Sequence, residues 1–187
     1  AAQRARAASL YLRGESGLSP MPIEIGGGPK VEVLSGGGGL YSTAPDYMRF
    51  LQMLLNGGAL GSTRILSDAT VAHLTQNHVG DLRAGRMESV VPSLAGVFDM
   101  YPQMDTKWSL GFLINPETGP HGRSAGSLSW AGIANCYYWL DPVADVAGVL
   151  MTQVLPFGDP GVLNALGALE RMAYRGEGPL FGFHSTF

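Results

Sequence analysis

Short apolar runs separated by turn residues fill the chain from Trp108 to Leu155, and their spacing restricts the architecture more than any other feature. The runs are 108–114, 127–133, 135–140 and 146–155. A turn-rich break, 116–122, follows the first, and Asp141-Pro142 turns the chain after the third. A parallel crossover normally carries a helix, so these connections predict antiparallel hairpins. The stretch 162–174 then predicts a closing helix, with Leu163, Leu166, Leu169 and Met172 along its apolar face. The fold class expected is α+β: an antiparallel sheet flanked by helices. One domain is expected, with helices and loops over 1–107, strands and a helix over 108–175, and an extended tail over 176–187.

Ahead of the sheet the clearest helix starts at Thr43. Thr43 and Asp46 form a capping box, and Pro45 sits in the first turn, where its missing N–H costs nothing. Tyr47, Phe50, Leu51, Leu54 and Leu55 keep helical spacing until Gly57-Gly58 stop it. A second helix is predicted over 68–77, capped by Ser67 and stapled by Leu66 and Val71. Residues 1–12 read as an amphipathic helix with arginines on one face. Two glycine runs, 26–28 and 36–39, flank a short apolar segment, 31–34, and neither leads into a phosphate-binding motif. The stretch 80–103 has no steady period and reads as a long loop, which in a compact domain is often functional or poorly ordered.

Composition removes several function classes. Charged residues make up 14% of the chain and apolar ones 45%, which excludes disorder driven by charge. The net charge is −3 and the lysines are Lys30 and Lys107 only, so no basic stripe exists for nucleic acid. The longest uncharged run, 124–140, contains serines and an asparagine and reads as strands, not as a membrane span. A lone cysteine, Cys136, excludes an internal disulfide and a cysteine-based zinc site. His73 and His78 lie off a single helical face and His121 and His184 are isolated, so neither metal nor other cofactor is expected.

Gly122-Arg123-Ser124-Ala125-Gly126 matches the G-x-S-x-G nucleophile elbow in letters. That elbow works between a strand and a helix, and here a turn precedes it and a strand follows. The order serine, acid, histidine also fails, because the only later histidine is His184. Ser124 is therefore expected to hold a turn, with a self-contained hydrolase using Ser124 as a minor alternative.

Three segments, in this order and spacing, resemble one family. They are 35–50 (SGGGGLYSTAPDYMRF), 54–58 (LLNGG) with 65–67 (ILS) behind it, and 129–133 (SWAGI) followed by 138–142 (YWLDP). Together they resemble the serine hydrolases of the class C β-lactamase superfamily, nearest to family VIII carboxylesterases and penicillin-binding-protein-like transesterases. The resemblance implies an acyl-serine mechanism. A serine and lysine of an S-x-x-K motif and a tyrosine of a Y-x-N/S motif would do the proton chemistry. A third motif on an edge strand would be Trp130-Ala131-Gly132. Trp130 would wall the acyl pocket, Gly132 would admit the substrate, and the backbone N–H of Ile133 would supply half of the oxyanion hole.

No serine in the chain has a lysine three residues on, and no tyrosine opens a Y-x-N or Y-x-S motif. The chain also begins with Ala1, inside an uncapped periodic stretch. The expectation is the C-terminal portion of such an enzyme, inactive alone. It would need a partner segment carrying both missing motifs to act on a small ester or, less readily, a β-lactam. An incomplete sheet would expose an edge that recruits that segment or an oligomeric copy. The source expected is bacterial, with a cytoplasmic or periplasmic location. The rival from another class is a non-catalytic binding or structural module with the same half-fold.

Overall fold

The computed structural model describes residues 6–22 and 36–176. The segment 31–34, the glycine run 26–28, the tail from 177 and His184 lie outside these. Along the chain come β1 (Leu10–Gly14), β2 (Gly17–Met21), α1 (Ala44–Leu55), β3 (Ala59–Leu60), β4 (Thr63–Arg64) and α2 (Asp68–Leu74). Then follow β5 (Lys107–Trp108), β6 (Leu113–Ile114), β7 (Leu128–Gly132), β8 (Cys136–Asp141), β9 (Val146–Leu150), β10 (Val154–Leu155) and α3 (Pro160–Arg175). The central sheet has five strands in the order β5-β6-β7-β8-β9, every pair antiparallel.

Strand β8 shows why the sheet lies between helices. Successive side chains point to opposite faces. Leu140 packs with Leu51 and Leu54 of α1, Val71 of α2, and Phe112, Ile114 and Leu128, while Tyr138 lies against that cluster. Tyr137 and Trp139 pack on the other face with Phe98, Phe157 and Val162 and Leu166 of α3. A strand buried on both sides reads as a continuous apolar run, as residues 137–140 do.

The capping signals act as expected. The Thr43 side chain accepts from the Asp46 N–H at 3.3 Å, and the Ser67 side chain from the Thr70 N–H at 3.1 Å. Gly58 has φ 96°, and a Cβ there would lie 2.3 Å from the Leu66 carbonyl oxygen, so only glycine fits this helix stop. The second helix ends at Leu74, three residues early, because Asn77 folds back on its own backbone. Its Oδ1 accepts from the Val79 N–H at 2.9 Å and its Nδ2 donates to the Gly80 carbonyl at 2.9 Å.

Three expectations are corrected. Within 1–12, the part from Leu10 onward is strand, not helix. The hairpin β1–β2 turns at Glu15-Ser16, and alternation of Leu10 and Leu12 toward one small core prevails over the 3.6 period. Among the described residues the region 1–107 thus carries strands β1 to β4 as well as helices and loops. The run 108–114 is a hairpin and not one strand. The Ser109 N–H donates to the Phe112 carbonyl at 2.8 Å, and the Ser109 hydroxyl accepts from Phe112 N–H at 2.9 Å, closing a tight turn. The run 146–155 is also two strands. Thr152 donates to the carbonyls of Ala134 and Asn135, which breaks β9 and sends β10 into a second sheet beside β1, in parallel.

Two buried carboxylates tie these parts together. Asp159 caps α3 through the Val162 N–H at 2.9 Å and pairs with Arg13 of β1. Asp141 accepts from Ser124 N–H at 2.7 Å, from Val143 and Ala144 N–H, and from the Tyr174 hydroxyl at 3.0 Å. Burial pushes both carboxyls up, but these donors outweigh it and hold both below the ordinary aspartate value. A folded-state pKa below the unfolded one, about 3.9, gives stability that is complete above that pH. It is lost as pH falls through the folded values. Urea melts should therefore lose midpoint below about pH 4, and Asp141→Asn should flatten that loss while lowering the midpoint at pH 7.

Candidate active site

The β7–β8 hairpin positions all four residues of the third-motif expectation. Trp130 pairs with Tyr138, Ala131 with Tyr137 and Gly132 with Cys136. On the other side, β6 reaches only to Ser129. The Asn115 N–H donates to the Ser127 carbonyl, so by strand alternation 127, 129 and 131 turn their backbone groups toward β6. Past Ser129 that strand has ended, and among the described residues the edge at Ala131 has no strand beside it on this side.

The turn beyond Gly132 keeps Ile133 on this open edge. The Asn135 N–H donates to the Gly132 carbonyl at 2.9 Å, which places Ile133 at the second position of a β-turn. Ile133 is 43% exposed, and no hydrogen bond to its N–H is found among the described residues.

Asn135 fixes this turn, and residue-type reasoning missed it. It has φ 59°, a left-handed conformation that asparagine tolerates. It is fully buried. Its Nδ2 donates to the Val154 and Pro156 carbonyls at 2.8 Å each. Its Oδ1 accepts from the Tyr137 hydroxyl and from the Gly158 and Asp159 N–H groups. The hairpin tip is thereby locked to β10 and to the start of α3. A Gly-x-x-Asn spacing between two strands was the signal available.

Trp130 faces a cleft of about 360 Å³ lined by Ala84, Gly85, Met87, Trp108, Leu113 and Trp130. The Trp108 and Trp130 rings meet edge to face, 4.5 Å apart at 89°. The far wall comes from the long 80–103 loop. Its Ala84 N–H donates to the Thr106 carbonyl at 2.8 Å, and Met87 and Phe98 exchange backbone bonds at 2.8 and 3.1 Å. Arg83 braces it by donating to Asp99 and to the carbonyls of Met104, Tyr101 and Pro102.

Ser124 lies elsewhere. Its N–H and its hydroxyl bond Asp141, and its carbonyl accepts from Asn115 Nδ2 at 2.9 Å. The nearby His121 accepts at Nδ1 from Arg171, 3.2 Å away, since arginine has no acceptor. A serine bound directly to a carboxylate, with no imidazole between them, holds a turn. Cys136 is half-buried, its thiol donates to the Thr152 carbonyl, and burial pushes its pKa up. Among the described residues, no three His, Cys, Asp or Glu side chains come close enough to hold a metal ion, and no helix is long and apolar enough to cross a membrane.

An antiparallel sheet with α1 and α2 on one face and α3 on the other, open at an edge beside a tryptophan cleft, is the β-lactamase/transpeptidase-like architecture. The match to the LovD6 mutant of simvastatin synthase from Aspergillus terreus shows it: TM-score 0.71 over 92% of this chain and 44% of that one, at 22% identity. The sequence model of the Beta-lactamase family matches residues 1–171, and the chain belongs to that family. It is 31% identical over 159 residues to Protein Rv1367c of Mycobacterium tuberculosis, covering 83% of this chain and 38% of the relative. It is 26% identical over 147 residues to acyltransferase calJ of Penicillium decumbens, covering 73% and 32%. The chain thus spans less than half the length of these relatives.

Proposed function

We propose that this chain supplies the oxyanion-side edge of a serine hydrolase that cleaves carboxylic esters through an acyl-serine intermediate. A separate segment would carry the nucleophilic serine, its lysine and the tyrosine. The observation that carries this reading is the open edge of β7 from Ala131 to Ile133, with an unengaged Ile133 N–H beside an apolar cleft. Membership of the Beta-lactamase family and similarity to a protein named an acyltransferase support it.

In this reading the serine oxygen of the partner segment attacks the ester carbonyl carbon, and its proton passes to the lysine–tyrosine pair. The carbonyl oxygen becomes an oxyanion and accepts from the Ile133 N–H, which is held in place before the reaction begins. The alkoxide then leaves with the transferred proton. Water repeats the sequence on the acyl-serine and releases the acid. Gly132 lets the ester approach the backbone, Ala131 offers its edge groups to the acyl or alcohol portion, and Trp130 walls the acyl group. No metal or other cofactor enters these steps.

The test is turnover of p-nitrophenyl butyrate and of a chromogenic cephalosporin. The 187-residue chain by itself should give none. Addition of a segment bearing S-x-x-K and Y-x-N/S, in trans or fused before Ala1, should give ester turnover. Turnover by the chain alone would refute the division of labour. Absence of turnover in both forms would favour a non-catalytic module.

A further inference from the structure

We propose that Asn135 is a positioning residue for the oxyanion donor: its side chain, and not only its backbone conformation, holds the Ile133 N–H where the reaction needs it. This role rests on the oxyanion reading of Ile133 and names what aims that donor.

The loop between β7 and β8 has three residues, Ile133, Ala134 and Asn135, and Gly132 pairs with Cys136 across it. Such a loop commonly makes a turn followed by one left-handed residue, and glycine adopts that conformation at least cost. Asn135 fills the position, with φ 59°. Asparagine tolerates the left-handed region, but burying its amide is costly unless the polar atoms are bonded. Asn135 is nonetheless fully buried, and its side chain donates two hydrogen bonds and accepts three. These bonds use its whole capacity and fix which end of the amide is the oxygen. A glycine would satisfy the dihedral and make none of them.

Apart from the bond from Tyr137, the side-chain bonds of Asn135 leave the hairpin. The carbonyls of Val154 and Pro156 belong to β10 and the residue after it, and the N–H groups of Gly158 and Asp159 lead into α3. Asp159 is in turn held by Arg13 of β1. The loop backbone is tied to the same region. The Ala134 carbonyl accepts from the Thr152 hydroxyl at 3.0 Å and from the Val154 N–H at 3.1 Å, and the Asn135 carbonyl accepts from the Thr152 hydroxyl at 2.9 Å. Ala134 and Asn135 are thus gripped by the body of the fold, while the Ile133 N–H stays free of hydrogen bonds among the described residues. A donor set in place before the reaction costs no reorganisation during it. A donor on a loop held only by its own dihedrals would have to be ordered in every turnover.

The test has two readouts. In the 187-residue chain the backbone amide order parameter of Ile133 should be about 0.85 in the parent and below about 0.6 in Asn135→Gly, with Leu140 of β8 unchanged. In the complemented enzyme Asn135→Gly should lower kcat for p-nitrophenyl butyrate by about tenfold or more, at a KM within about twofold of the parent's. The same substitution in an Ile133→Pro background should lower kcat by no more than about twofold, because no donor is left to aim. A merely structural role would give equal losses in both backgrounds. Asn135→Asp keeps the left-handed tolerance and the accepted bonds but loses both donated ones, and it should move both readouts in the same direction. An unchanged Ile133 order parameter in whichever variant keeps Leu140 at its parental value would overturn the proposal, as would equal kcat losses with and without the Ile133 N–H. Absence of turnover by the complemented parent would instead remove the oxyanion reading, while the order parameters still decide whether Asn135 holds the turn.

Discussion

Gly148→Val should lower the melting temperature of the chain by roughly 6–12 °C, the equivalent of about 3 kcal/mol for a chain of this size. Gly148 lies directly across from Trp139 in the β8–β9 ladder. A Cβ there would stand 1.9 Å from Trp139 Cη2 and 2.3 Å from two more ring carbons. The backbone conformation is not the constraint, since Gly148 has no positive φ. The constraint is the indole, which cannot swing away. Its Nε1 donates to the Tyr174 hydroxyl at 3.0 Å, that hydroxyl donates to Asp141, and the Arg123 guanidinium sits 5.1 Å from the ring centroid. Trp139→Leu in the same chain should recover part of the loss, a coupling that a double-mutant cycle measures. A Gly148→Val chain melting within about 2 °C of the parent would show that β9 shifts freely, contrary to the packing described.

The second large effect is on rate. In the complemented enzyme, Ile133→Pro should reduce kcat for p-nitrophenyl butyrate by about 10²–10³, the usual consequence of losing one oxyanion donor. Proline removes the N–H in question together with the isoleucine side chain, and the second position of a β-turn is where proline is favoured. Melting temperature should therefore change little. Ile133→Ala, which keeps the N–H, should retain kcat within a few-fold. A proline variant with parental kcat would remove Ile133 from the oxyanion role.

The legible parts of the sequence were those in which one local signal governed the outcome. Thr43, Ser67 and the Gly57-Gly58 pair announce helix ends because their hydrogen bonds and dihedrals are local. The β7–β8 hairpin was legible because two apolar runs flank a turn of fixed length. What failed depended on distant partners. Leu10–Leu12 follow a strand period because they pair on one side with Ser19–Met21 of the β1–β2 hairpin and on the other with Val154 and Leu155, more than 140 residues away. The same docking breaks the run 146–155, where Thr152 reaches back to Ala134 and Asn135. The cleft was half visible: Trp130 came from its motif, whereas Trp108 and Met87 meet it only through a loop with no period of its own.

The buried pair of Arg123 and Glu170 was also invisible in one dimension. Arg123 occupies an unconstrained position of the Gly122–Gly126 motif, yet it is fully buried and donates to Glu170 on α3. With Asp141 holding Ser124 on the adjacent residue, the letters of the nucleophile elbow encode a turn that clamps β7 to the closing helix. The chemistry proposed for this chain lies on the opposite end of the same strand.

The most direct test of this account is the location of the acyl group. The chain, mixed with a segment carrying S-x-x-K and Y-x-N/S, is quenched in acid during turnover of p-nitrophenyl butyrate, and both polypeptides are weighed by mass spectrometry. One butyryl group is expected on the added segment and none on the 187-residue chain. A butyryl group on this chain, at Ser124 or at any other residue, would contradict it.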